Sequence, residues 1–121
     1  MIKDFNNKVT LTGVSGKKYV FNLYTYSDFD DVKGAFTPKS ALYLFIKLSA
    51  DQTSYWRVYL GKTGDLSTRF DSHHKEDCIR KHGANCIGIH SDEKFKNEKV
   101  LEEAEKDLLA AYNFPCNDQN N

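Results

Sequence analysis

The sequence predicts an α+β domain, α/β-sandwich-like, in which a small, mainly antiparallel three-stranded sheet is flanked by helices and carries an added N-terminal β-hairpin. Three observations predict it. Residues 41–48 form a short, nearly unbroken apolar run with the length and composition of a buried central strand. A second strand-like run, residues 56–60, follows the turn-forming Asp51-Gln52-Thr53-Ser54, so the two read as a hairpin with Tyr43 and Tyr59 on neighbouring strands. Near the C-terminus Val100, Leu101, Ala104, Leu108, Ala111 and Tyr112 recur at helical spacing, the apolar stripe of an amphipathic helix.

Taken in order, residues 8–26 read as a β-hairpin. Val9 and Leu11 alternate with Thr10 and Thr12, Gly13-Val14-Ser15-Gly16 can turn, and residues 19–24 are strand-like. Residues 27–40, with three acidic residues, Gly34 and Pro38, read as a loop. After residues 56–60, a Gly-containing loop leads to Asp65, a good N-cap, with Leu66, Phe70 and then His73 or His74 at helical spacing. One helix or a pair should run from there to residue 81, with Gly83 as the stop signal. Cys86, Ile87 and Ile89 make residues 85–90 a third strand, and the last helix should span residues 97–112, ended by Asn113 and Pro115.

At 121 residues the chain is expected to form one domain with a single core. Seventeen basic and seventeen acidic residues cancel. That argues against tight non-specific nucleic-acid binding, which needs a basic excess to release counterions. Charge is segregated all the same: residues 57–81 hold six Lys or Arg against four Asp or Glu, and residues 92–107 hold four against seven. The first five residues have no apolar signal core and no run reaches transmembrane length, so a cytoplasmic protein without membrane contact is expected. Cys78, Cys86 and Cys116 are odd in number with no C-x-x-C pair, and reduced thiols are the expectation. His74, Cys78, His82, Cys86 and His90 recur every four residues, but Gly83 interrupts the helix face they would share, so structural Zn²⁺ is not expected.

The segment Tyr59-Leu60-Gly61-Lys62-Thr63-Gly64-Asp65-Leu66-Ser67-Thr68-Arg69-Phe70 brings a tyrosine, a lysine and an arginine to one loop-to-helix junction, where backbone N–H groups favour anions. On the last helix Glu105 lies one turn from Leu101, Leu108 and Leu109, at the border of the apolar stripe. A carboxylate there is costly unless a cation, a metal or hydrogen bonds compensate. Taken singly, each residue has a plainer reading: Tyr43 and Tyr59 as strand aromatics, Lys62 as a solvated turn residue, Arg69 as a surface ion-pair partner, Glu105 as a rim glutamate beside a lysine.

Together these residues resemble the GIY-YIG nuclease superfamily. Its first tyrosine motif reads here as Ala41-Leu42-Tyr43 and its second as Tyr59-Leu60-Gly61, followed by Lys62, by Arg69 on the first helix, by His73, by Glu105 and by Asn117. The resemblance covers residues 41–117, leaving residues 1–40 as a hairpin and acidic-loop extension and 118–121 as a polar tail. Ala41, Leu42 and Leu60 depart from the motif's usual residues, and none of them removes a reactive side chain.

The resemblance implies hydrolysis of DNA phosphodiesters with one Mg²⁺ or Mn²⁺ per site, leaving 3′-hydroxyl and 5′-phosphate ends. Glu105 would hold the metal, and Tyr59 would be the general base, with Lys62 depressing its pKa. Arg69 would neutralise charge on the phosphate, Tyr43 and His73 would orient the reacting groups, and Gly61 and Asn117 would support the site. The expected substrate is single-stranded or branched DNA, with RNA as an alternative, cut with weak sequence selectivity in a salt-sensitive way. The rival reading is a catalytically silent module on the same fold that binds nucleic acid or a protein.

Overall fold

The computed structural model describes residues 2–118. Five strands, β1 (Lys3–Thr12), β2 (Lys18–Thr25), β3 (Ala41–Leu48), β4 (Tyr55–Thr63) and β5 (Cys86–His90), form one sheet in the order β1-β2-β5-β3-β4. Every neighbouring pair is antiparallel. Two helices accompany it, α1 (Glu76–Lys81) and α2 (Glu98–Ala111). The domain is α+β as expected, but the sheet has five strands rather than three. The N-terminal hairpin joins it as β1 and β2, with Asn22 to Thr25 of β2 pairing Ile89 to Cys86 of β5. Without that pairing the outer edge of β5 would present unpaired backbone groups.

β3 is buried on both faces over residues 41–46, and its alternation divides the core in two. Leu42, Leu44 and Ile46 point toward α2, with Leu60, Leu101 and Leu108. Tyr43 and Phe45 point the other way, against Tyr59, Leu66, Phe70, Ile79 and Ile87. α2 starts where Asn97 accepts hydrogen bonds from the backbone N–H groups of Lys99 and Val100, an N-cap, and Tyr112 is its C-cap. Asp107 ties this helix to the hairpin turn. Its carboxylate accepts from Ser15 N–H at 2.9 Å, the Ser15 hydroxyl at 2.7 Å and the Tyr19 hydroxyl at 2.9 Å.

Two elements depart from the sequence reading. β4 runs on through Gly61, Lys62 and Thr63, which pair with Tyr43, Leu42 and Ala41, so the expected loop is strand. Residues 64–75 fold as turns, and the helix is confined to α1. The cause is local competition for backbone groups. Asp65 accepts from the N–H and hydroxyl of Ser67, and the N–H of Leu66 donates to the Lys39 carbonyl, outside the segment. The thiol expectation is corrected as well: Cys78 and Cys116 form a disulfide, and Cys86 alone is free and buried.

The loop at residues 27–40 contains a short 3₁₀ turn, Phe29–Val32, capped by Asp28. Its acids are neutralised locally. Arg80 of α1 contacts Asp28 at 3.2 Å and Asp30 at 3.3 Å, and Lys33 pairs with Asp30 at 2.8 Å. No helix among the described residues is long and apolar enough to cross a membrane.

Candidate active site

The site is built around β4, an edge strand that carries groups on both faces. Tyr43 on β3 lies opposite Gly61 on β4 and is fully buried. A side chain at position 61 would fall inside the Tyr43 ring, so glycine is what lets that ring cross the neighbouring strand. Tyr59, paired with Phe45, projects from the same face, and the two tyrosine rings are 6.0 Å apart. A bulge shapes the next step: Phe45 pairs Tyr59 and Ile46 pairs Arg57, which leaves Val58 extra.

The turns at residues 64–75 deliver Arg69 and His73 over these tyrosines, anchored by the buried Leu66 and Phe70. The Arg69 guanidinium sits 5.9 Å from the Tyr43 ring centre, and its charge draws the Tyr43 pKa down against the larger effect of burial. His73 is buried, stacked on Phe70 and 2.7 Å from the Tyr43 hydroxyl through Nε2. Its Nδ1 accepts from the backbone N–H of Lys75 at 3.0 Å. Burial first, then Arg69, His74 and Lys75, push the imidazole pKa down to about 3, so His73 is neutral at physiological pH. A neutral ring that accepts at Nδ1 carries its proton on Nε2. His73 Nε2–H therefore donates to the Tyr43 oxygen, and the Tyr43 ring lies beside that of Tyr59.

On the other face, Lys62 lies opposite Leu42 and faces α2. Glu105 of α2 is half-buried, and burial raises its pKa against the pull of Lys62 and Arg69, with Glu102 adding to the rise. No salt bridge closes on the Glu105 carboxylate among the described residues. The parity of β4 corrects one expectation. Tyr59 and Lys62 are three residues apart on a strand and so face opposite ways, and the cation that favours the Tyr59 phenolate is Arg69, not Lys62. Burial still outweighs the pull of Arg69 and of the neighbouring Tyr43 hydroxyl, so Tyr59 titrates above its ordinary value rather than below it.

Asn117 brackets Leu60, the residue between Tyr59 and Gly61. Its Oδ1 accepts from Leu60 N–H at 2.9 Å and its Nδ2 donates to the Leu60 carbonyl at 2.8 Å. Next to it, Cys116 N–H donates to the carbonyl of the bulged Val58 at 3.0 Å. The C-terminal segment thus caps the exposed edge of β4. The sequence reading did not place His74 here, yet its ring stacks on His73 at 5.1 Å and meets Tyr59 edge-on at 6.4 Å. Asp118, which the sequence assigns to the polar tail, pairs with Lys75 at 2.9 Å, and its charge is felt at Tyr59. Adjacency to His73 and Asn117 was the only signal for either. Of the five His and Cys positions spaced by four, Cys78 and His82 meet Cys116, and Cys86 lies buried within the sheet.

No protein-family model matches this chain, and no match was found among curated proteins or solved structures.

Proposed function

We propose that this chain is a divalent-metal-dependent endonuclease of GIY-YIG type that hydrolyses DNA phosphodiester bonds. The observation that carries this reading is the meeting at one strand of two arrangements. One is the gathering of Tyr43, Tyr59, Arg69 and His73 on one face, with His73 hydrogen-bonded to Tyr43, and the other is a half-buried carboxylate, Glu105, under the influence of Lys62 and Arg69. The donor set is hard oxygen, which suits Mg²⁺ or Mn²⁺, commonly held by one or two carboxylates with water and substrate phosphate. Glu105 would hold the ion, which when bound polarises the scissile phosphate and stabilises the leaving oxygen.

The remaining work belongs to the chain's own side chains. Tyr59 Oη takes the proton of the attacking water, and Arg69 and the neighbouring Tyr43 hydroxyl favour its phenolate. His73, neutral and fixed by Lys75, holds the Tyr43 hydroxyl in place beside Tyr59. Arg69 places a planar cation where the phosphate gathers charge. Lys62 offsets the acidic pair Glu102 and Glu105.

The test is incubation with single-stranded, double-stranded and branched DNA and with RNA, in Mg²⁺ or Mn²⁺ and in EDTA. The expected result is metal-dependent cleavage of DNA that rises with pH, because the active form of Tyr59 is its phenolate and its pKa is raised. Zero net charge and that raised phenol favour a second reading, the catalytically silent binding module. Binding without cleavage on every substrate would select it.

A further inference from the structure

α1 and the C-terminal segment meet in a cluster that this chemistry does not use. Cys78 on α1 is disulfide-bonded to Cys116, 38 residues later. His82, one turn after Cys78, places Nδ1 3.6 Å from the Cys78 sulfur and 3.5 Å from the Cys116 sulfur. The same Nδ1 is 3.0 Å from the Cys78 carbonyl oxygen, which can only accept, so Nδ1 carries the proton. A proton donor thus sits beside both sulfurs. Access is unequal: Cys116 is 2 % exposed, Cys78 is half-buried and His82 is open to solvent. Whatever happens to Cys116 reaches β4 at once, because its N–H holds Val58 and the next residue brackets Leu60.

We propose that Cys78, Cys116 and His82 form a thiol–disulfide exchange site for small-molecule thiols and disulfides, whose state sets how the C-terminal strap holds β4. An external thiolate attacks Cys78 Sγ, the accessible sulfur. A bond forms between that thiol and Cys78, the Cys78–Cys116 bond breaks, and Cys116 leaves as a thiolate that takes the proton from His82 Nδ1. A second external thiol then attacks the small-molecule sulfur of the mixed disulfide and releases Cys78. Two small thiols are oxidised to one disulfide, the two cysteines are reduced to thiols, and His82 regains its proton from the incoming thiols. The reverse reaction with a small disulfide closes the strap again.

The full chain is equilibrated in buffers of reduced and oxidised glutathione, its thiols are counted by alkylation and mass, and amide hydrogen exchange is read in parallel. The folded protein is expected to interconvert between disulfide and dithiol without denaturant. Reduction is expected to speed exchange at the Leu60 amide by about tenfold or more while Leu108 in α2 keeps its protection. His82→Ala is expected to slow reduction several-fold at neutral pH. A double variant, Cys78→Ser with Cys116→Ser, should reproduce the exchange pattern of the reduced protein, and wild-type reduction reads the same property if that variant fails to fold. None of these readouts involves cleavage, so the outcome is independent of the nuclease reading. Three results would overturn the proposal: reduction only after global unfolding, an unchanged Leu60 amide on reduction, or a reduced protein that retains one zinc per chain with Leu60 still protected.

Discussion

Gly61 owes its identity to Tyr43 rather than to a turn. A Cβ there meets the Tyr43 ring, which is locked among Phe45, Phe70 and His73, so Gly61→Ala forces a core aromatic to move. The expected cost is about 1–3 kcal/mol in denaturant unfolding, and Tyr43→Ala in the same chain should remove most of the clash, making the pair non-additive. His73 sets a pH dependence of stability. Its folded pKa is depressed from 6.5 to about 3, so between those values the unfolded chain binds the extra proton. Stability from this group is full above pH 6.5 and declines as pH falls toward 3, and unfolding midpoints across that range should decline less in His73→Gln. The tyrosines act at the other end. The Tyr19 phenol is raised to about 12 by burial and Asp107, so its contribution is present below pH 10 and is lost as pH rises through 12.

Among the elements, those governed by hydrophobic period were readable. β3, β5 and α2 fall where their apolar runs and stripe put them. Failures came where backbone pairing overrides local residue preference. Gly61 looks like a loop residue, but β3 supplies a complete ladder for it, and Asp65 looks like a helix cap, yet it caps only a turn because Leu66 N–H is drawn to Lys39. Cys78 and Cys116 could not be paired from spacing, because only the folded strap brings them together. The hairpin reads as a separate extension in sequence, but Asp107 binds its turn to α2. Asp107→Ala removes three hydrogen bonds, two of them to Ser15, and is expected to destabilise by about 2–3 kcal/mol, with the largest rise in hydrogen exchange at residues 13–17. A loss spread evenly over the sheet would contradict this local tie.

Over the whole molecule, the candidate site was legible as a set of residues but not as an arrangement. Tyr43, Tyr59, Arg69 and His73 gather on one face of β4, whereas Lys62 turns to the other face with Glu105, because strand geometry alternates where a loop would not. Arg69 links the two sides, lowering Tyr43, Tyr59, His73 and Glu105 alike. With a net charge of zero, little beyond these local cations attracts a phosphate backbone, so substrate contact should weaken as salt rises. The central claim is that Glu105 serves a metal-dependent hydrolysis, and Glu105→Gln tests it with almost no change in shape. Because burial already raises Glu105, the variant should be at least as stable as the wild type. The decisive measurement is the single-turnover rate of DNA cleavage in Mg²⁺ for the two proteins side by side. The account predicts a fall of about 10²-fold or more in a fully folded Glu105→Gln chain. An undiminished, metal-dependent rate in that variant would contradict it.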